Sequence, residues 1–253
     1  MDLIDRLYDF YFKFNGEKGI MGYTEKGHPI VYFRRGFGDK KIIVQSCIHA
    51  REYITTFLTL KLIETEKVKK GVSVYFIPCV NIDGVKITKV IKDFKANANG
   101  VDLNTNFPAR FGTGAKNTNK RGTENFTGLY PSSESETRSL ISFTKKINPS
   151  LTISFHAKGE EIYYDFFDEK LKKEHYPYAL IAKKVTGYKI VENLKSAGGY
   201  KDWCIENQKI PSLTIEVGSD ILVHPIGEEN LDEIYLRVKD LIRKLSNKLL
   251  EKK

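Results

Sequence analysis

The sequence predicts an α/β layered fold in a single domain. Three observations carry that reading: four apolar runs of strand type, helical patterns set between them, and no composition break along the chain. The runs are KIIVQSC at 41–47, VSVYFIP at 72–78, SLTISF at 150–155 and SLTIEV at 212–217. They are apolar continuously rather than at alternate positions, as expected of central strands covered on both faces.

Helical periodicity follows the first run in ITTFLTLKLIETEKV, precedes the third in SESETRSLISFTKKI, precedes the fourth in YPYALIAKKV, and closes the chain in LDEIYLRVKDLIRKLSNKLL. The amino terminus, MDLIDRLYDFYFKF, mixes acids and aromatics among its apolar residues. It reads as an amphipathic helix within 1–20 that leads into the domain, not as a secretory signal. From Asn81 to Tyr130 the chain is rich in Asn, Gly, Thr and Lys with little periodicity, and a segment of that length in a globular domain is usually functional. With 253 residues, no linker and no repeat, one domain spanning 1–253 is expected.

Composition narrows the function classes. No apolar stretch approaches the roughly 20 residues that cross a bilayer. The three cysteines, Cys47, Cys79 and Cys204, are odd in number and unpaired in spacing, which argues for free thiols and a reducing, cytoplasmic compartment. Release to the cell wall by lysis is the other route. A net charge of +9 admits an acidic partner. Much of the lysine excess stands in KVKK, KLKK and the terminal EKK, which read as solvated helix faces and a tail rather than a nucleic-acid stripe.

The chemistry is expected at strand ends, where open α/β sheets place their ligand crevices. The first strand run is followed by His49-Ala50-Arg51-Glu52, an imidazole and a carboxylate three positions apart that can converge on one ion, and mixed nitrogen and oxygen ligation suits zinc. Alone, such a pair is more often a surface histidine and a solvated glutamate. His156 follows the third run directly, and alone it reads as a histidine hydrogen-bonded at a sheet edge. Glu216 lies inside an otherwise apolar run, where an unpaired charge is costly and a salt bridge is the ordinary remedy. Taken together, the strand ends supply three metal ligands, His49, Glu52 and His156, with a fourth coordination position open, and a general base, Glu216.

The ordered set HARE, NIDG, GVDLNTNF, a strand-terminal His, GGYKDW and TIEVG resembles the zinc carboxypeptidase family over most of the chain. The resemblance implies a mixed, mostly parallel twisted sheet flanked by helices. It also implies one zinc ion per chain on His49, Glu52 and His156, and Glu216 as the catalytic glutamate. Lys95 stands where the family carries an arginine that polarises the scissile carbonyl; its bland reading is a solvated loop lysine.

The departures bear on substrate. Digestive members read Asn-Arg where this chain has Asn104-Thr105, and threonine cannot supply the fork that grips a terminal carboxylate. The family's flexible tyrosine falls near Leu194, where there is none. KANANGVDLNTNF together with GGYKDW is similar to the bacterial γ-D-glutamyl-L-diamino acid endopeptidases, which cut peptidoglycan stem peptides. On that resemblance the partner is a muropeptide, and Arg51, Asn104, Thr105, Tyr200 and Lys201 are the expected readers of its charged groups. The remaining histidines, His28, His175 and His224, fit no motif and are expected on the surface or in loops.

Overall fold

Residues whose side chains are apolar on both faces of a strand can be buried only when the sheet is covered twice, and the computed structural model places them so. It describes residues 2–192 and 195–251. Four strands form the parallel centre: β3 (Lys40–Ser46), β4 (Val72–Ile77), β5 (Leu151–His156) and β8 (Ser212–Glu216). Ile42, Ile43, Val44, Val74, Phe76, Ile153, Phe155 and Leu213 are completely buried there.

Four further strands complete the sheet: β1 (Lys18–Tyr23), β2 (Pro29–Arg35), β6 (Glu161–Tyr163) and β7 (Lys189–Ile190). The order is β1-β2-β4-β3-β5-β8-β6-β7, with β1 antiparallel to β2, β2 antiparallel to β4, and β6 antiparallel to β8. The mixed, mostly parallel sheet expected from the sequence is thus present, with antiparallel strands added outside its centre. From β3 the chain goes to β4 on one side and later returns as β5 on the other. This is a reversal of strand order, where a crevice opens at the carboxyl ends.

Helices cover the sheet: α1 (Leu3–Lys13), α2 (Ile54–Thr65), α3 (Ile82–Thr88), α4 (Ser135–Ile147), α5 (Glu169–Thr186), α6 (Tyr200–Gln208), α7 (Leu231–Val238) and α8 (Leu241–Leu250). Several differ from the sequence reading. The amino-terminal helix stops at Lys13, not near 20, because Phe14 turns extended and Asn15-Gly16 lead into β1. The closing helical pattern is two helices, broken at Lys239-Asp240 with neither proline nor glycine to announce it. KVKK at 67–70 lies beyond α2 rather than on a helix face.

α5 begins at Glu169, with the Asp168 carboxylate accepting from Lys170 N and Leu171 N. Its buried positions Leu171, His175, Ala179, Ala182 and Thr186 recur every three to four residues. His175 is therefore a buried residue on an inner helix face and not the surface residue expected. His28 is half-buried between Asp83, at 2.6 Å, and Lys86, at 2.6 Å. His224 is half-buried in the segment after β8. All three cysteines are free and buried.

Candidate active site

Beyond β3, His49 is followed by a 3-10 turn over Ala50–Glu52, which carries the Glu52 side chain back toward the strand end. His49 Nδ1 lies 2.8 Å from Glu52 Oε1, and His156 Nδ1, at the end of β5, lies 3.1 Å from Glu52 Oε2. The ligand atoms of His49, Glu52 and His156 all fall within 4.8 Å of one another, so the three residues that the sequence singled out are brought together. Glu52 Oε2 also accepts from Ala157 N at 3.2 Å, which fixes the carboxylate against β5.

Asp102 holds the other side of His49. Its Oδ1 is 3.1 Å from His49 Nε2, so in the neutral ring Nε2 carries the proton and Nδ1 is the nitrogen that offers its lone pair to the cluster. Burial disfavours charge on His49, yet Glu52 and Asp102 outweigh it and raise its pKa to about 9. Burial likewise works against the ionised forms of Glu52 and Asp102, but the neighbouring imidazoles, and Lys95 for Asp102, hold both below the ordinary carboxylate range. His156, the more deeply desolvated imidazole, is pushed down by burial. Two neutralisable imidazoles and a carboxylate held ionised are the donor set of a catalytic zinc site, and the pull these acids exert on protons is available to a divalent cation.

Glu216 ends β8 as the register partner of His156 on the parallel neighbour β5. It lines a cavity of about 650 Å³ together with His49, Lys95 and Asp102. Burial and then the nearby Glu52 charge raise its pKa well above the usual carboxylate value. A carboxyl displaced in that direction binds a proton readily, as a base that must later act as an acid requires.

The 81–130 segment supplies much of the wall. It contains α3 and a 3-10 turn over Leu103–Thr105. Lys95 Nζ is 2.6 Å from Asp102 Oδ2 and donates to Asn125 Oδ1 at 2.6 Å, and it too lines the cavity. Asn104 Oδ1 accepts from Tyr200 N at 3.1 Å, which leaves its amide nitrogen available at the cavity wall. Thr105 faces the same space but donates its hydroxyl to the Asp102 carbonyl at 2.9 Å. Gly198 makes this packing possible: its φ is +87°, and a Cβ there would stand 2.6 Å from the Thr105 carbonyl oxygen.

Three expected substrate readers need correction or restriction. Tyr200 is fully buried, its hydroxyl 2.8 Å from Thr144 Oγ1 and its ring against Phe107 and Trp203, so it is a core residue. Arg51 lies outside the cavity lining and is tied to Asp93 at 3.1 Å and Glu124 at 2.8 Å. Lys201 does line the cavity, but it is buried and already donates to Asp202 Oδ1 at 2.6 Å and the Asp165 carbonyl at 2.7 Å. Leu194, where the family's tyrosine falls, is outside the described residues.

Asp102, buried between His49 and Lys95, is the candidate site residue that the sequence alone does not single out. The signal that exposed Glu216, an acid whose burial demands a partner, applied equally to it.

The profile described as zinc carboxypeptidase matches residues 17–231. The chain belongs to the zinc carboxypeptidase family. The family consists of zinc-dependent metallopeptidases, and in this member His49, Glu52 and His156 form a cluster that could hold a metal ion, with Glu216 at the neighbouring strand end.

Among its relatives is γ-D-glutamyl-L-diamino acid endopeptidase 1 of Lysinibacillus sphaericus, 30% identical over 254 residues, covering 85% of this chain and 63% of that one. The chain thus spans slightly under two thirds of that relative. The fold matches bovine thrombin-activatable fibrinolysis inhibitor with a TM-score of 0.87 at 20% identity, over 99% of this chain and 97% of that one. It also matches the murein-tripeptide amidase of Escherichia coli O157, with a TM-score of 0.68 at 23% identity, over 91% and 93%.

Proposed function

We propose that the protein hydrolyses the γ-D-glutamyl–diamino acid bond of peptidoglycan stem peptides, with one zinc ion held by His49, Glu52 and His156. The observation that carries the peptidase reading is the convergence of those three donors beside Glu216 on adjacent parallel strands. The choice of bond is supported by the relative from Lysinibacillus sphaericus, whose name states that activity, and by Thr105, which offers no charge to an ordinary terminal carboxylate.

Zinc, when bound, supplies Lewis acidity and lowers the pKa of water toward about 7. Glu216 accepts the proton of the attacking water and delivers it to the departing amine. Lys95, whose ammonium is fixed by Asp102 and Asn125, stabilises negative charge developing on the carbonyl oxygen. The free amide nitrogen of Asn104 orients the peptide. Asp102 keeps the His49 ring in its tautomer.

The test is mass spectrometry of products from L-Ala-γ-D-Glu-diaminopimelate set against simple C-terminal peptides, with elemental analysis of the purified protein. Release of diaminopimelate with about one zinc per chain supports the proposal. Trimming of ordinary peptides instead would assign a carboxypeptidase, and a metal-free protein that binds peptide without cleaving it would assign a binding module.

A further inference from the structure

Four lysines line the cavity that contains His49 and Glu216: Lys95, Lys116, Lys195 and Lys201. Two are committed within the protein, Lys95 to Asp102 and Asn125, and Lys201 to Asp202 and the Asp165 carbonyl. Lys116 and Lys195 are exposed, and neither has an acidic partner among the described residues. Of the two other acids lining the cavity among the described residues, Glu216 ends β8 and makes no ion pair with either lysine, and Glu192 is bridged to Lys172 at 2.8 Å.

The backbone holds the two free lysines close in space. Ala115 N donates to the Lys195 carbonyl at 2.8 Å, and Asn117 Nδ2 donates to the Ala197 carbonyl at 3.2 Å. Residues 115–117 are therefore pinned along 195–197, and one ammonium-bearing side chain comes from each segment of this seam. Thr105, with its hydroxyl engaged, contributes no cation to the same wall. The wall thus offers two uncompensated positive charges from segments fixed to one another, an arrangement that recognises an anion.

We propose that Lys116 and Lys195 jointly bind a free carboxylate on the substrate residue seated in this cavity, and so select peptides that carry one there. The proposal rests on the peptidase reading above; for a diamino dicarboxylic residue the group bound is one of its two carboxylates.

The test uses the zinc-loaded protein as wild type, Lys116→Gln, Lys195→Gln and the double variant, with Lys170→Gln on α5 as control. Kinetics on L-Ala-γ-D-Glu-diaminopimelate and on its diaminopimelate carboxamide are read beside calorimetric titration with free diaminopimelate. Each single change should raise KM for the carboxylate peptide about tenfold, the scale of one charge-assisted hydrogen bond, with kcat held. The carboxamide peptide should show no further loss in the variants.

Losses of equal size on both peptides, or none on either, overturn the assignment. If wild type leaves the γ-D-glutamyl bond intact, the bond proposal falls and the calorimetric arm alone judges the lysines. Diaminopimelate affinity that is unaltered in the double variant then overturns them, and affinity lowered in that variant but not in Lys170→Gln sustains them.

Discussion

His156 and Glu216 are register partners on β5 and β8, so a candidate metal ligand and the candidate base project from neighbouring parallel strands toward one side of the sheet. This pairing separates two functions that mutation can test independently. Glu216→Gln keeps the shape of the side chain and leaves His49, Glu52 and His156 in place. It should retain zinc by elemental analysis while kcat falls by about a thousandfold, within the range general-base removal produces. Full activity in this variant would remove Glu216 from the mechanism.

Asp102→Asn tests the support behind His49. The carboxylate that accepts from His49 Nε2 also anchors Lys95, so the change loosens the ligand and the cation together. Zinc affinity, measured by competition with a chelator, should fall about 10- to 100-fold, the usual effect of losing such a partner. An unaltered affinity would mean that packing alone orients the ring.

Tyr200→Phe distinguishes a core role from substrate reading. Its hydroxyl meets Thr144 inside the protein, so removing it should cost about 1 kcal/mol of stability in denaturant unfolding and leave kcat/KM unchanged. A raised KM at unaltered stability would restore Tyr200 to the substrate.

Glu136, outside the cavity lining, predicts a pH dependence of stability. It is buried beside Glu25 and Glu134, and burial, working against the hydrogen bonds it accepts, raises its pKa from 4.5 to about 7. Between those values the folded chain retains a proton that the unfolded chain has released, so this group makes stability fall as pH rises through the window. Glu136→Gln should therefore be the more stable protein near pH 8, by on the order of 2 to 3 kcal/mol, with the difference vanishing below about pH 4.5. Parallel unfolding curves across that range check it.

How much of this was legible in the sequence depended on the kind of signal. The central strands and the cluster of His49, Glu52 and His156 at their ends were readable, because doubly covered strands are apolar at every position and a charged group beside one stands out. Strands β6 and β7 were not readable: three and two residues long, they owe their existence to pairing with β8 and with each other. The break between α7 and α8 has no local breaker, and the periodicity of YPYALIAKKV starts one residue after His175 although α5 begins at Glu169. At the site, the motif GGYKDW states that Tyr200 is present but not that its side chain turns into the core. Lys116 and Lys195 gave no signal, since they become neighbours only through a seam closed by hydrogen bonds between distant segments.

The contact between Glu52 and Ala157 joins parts of the chain 105 residues apart, and Glu216 comes later still. A ribosome making this polypeptide therefore releases His49 and Glu52 long before His156, and Glu216 after all of them. No nascent fragment shorter than that possesses the full chemistry. On the proposed function, hydrolytic capacity waits until β8 has been made.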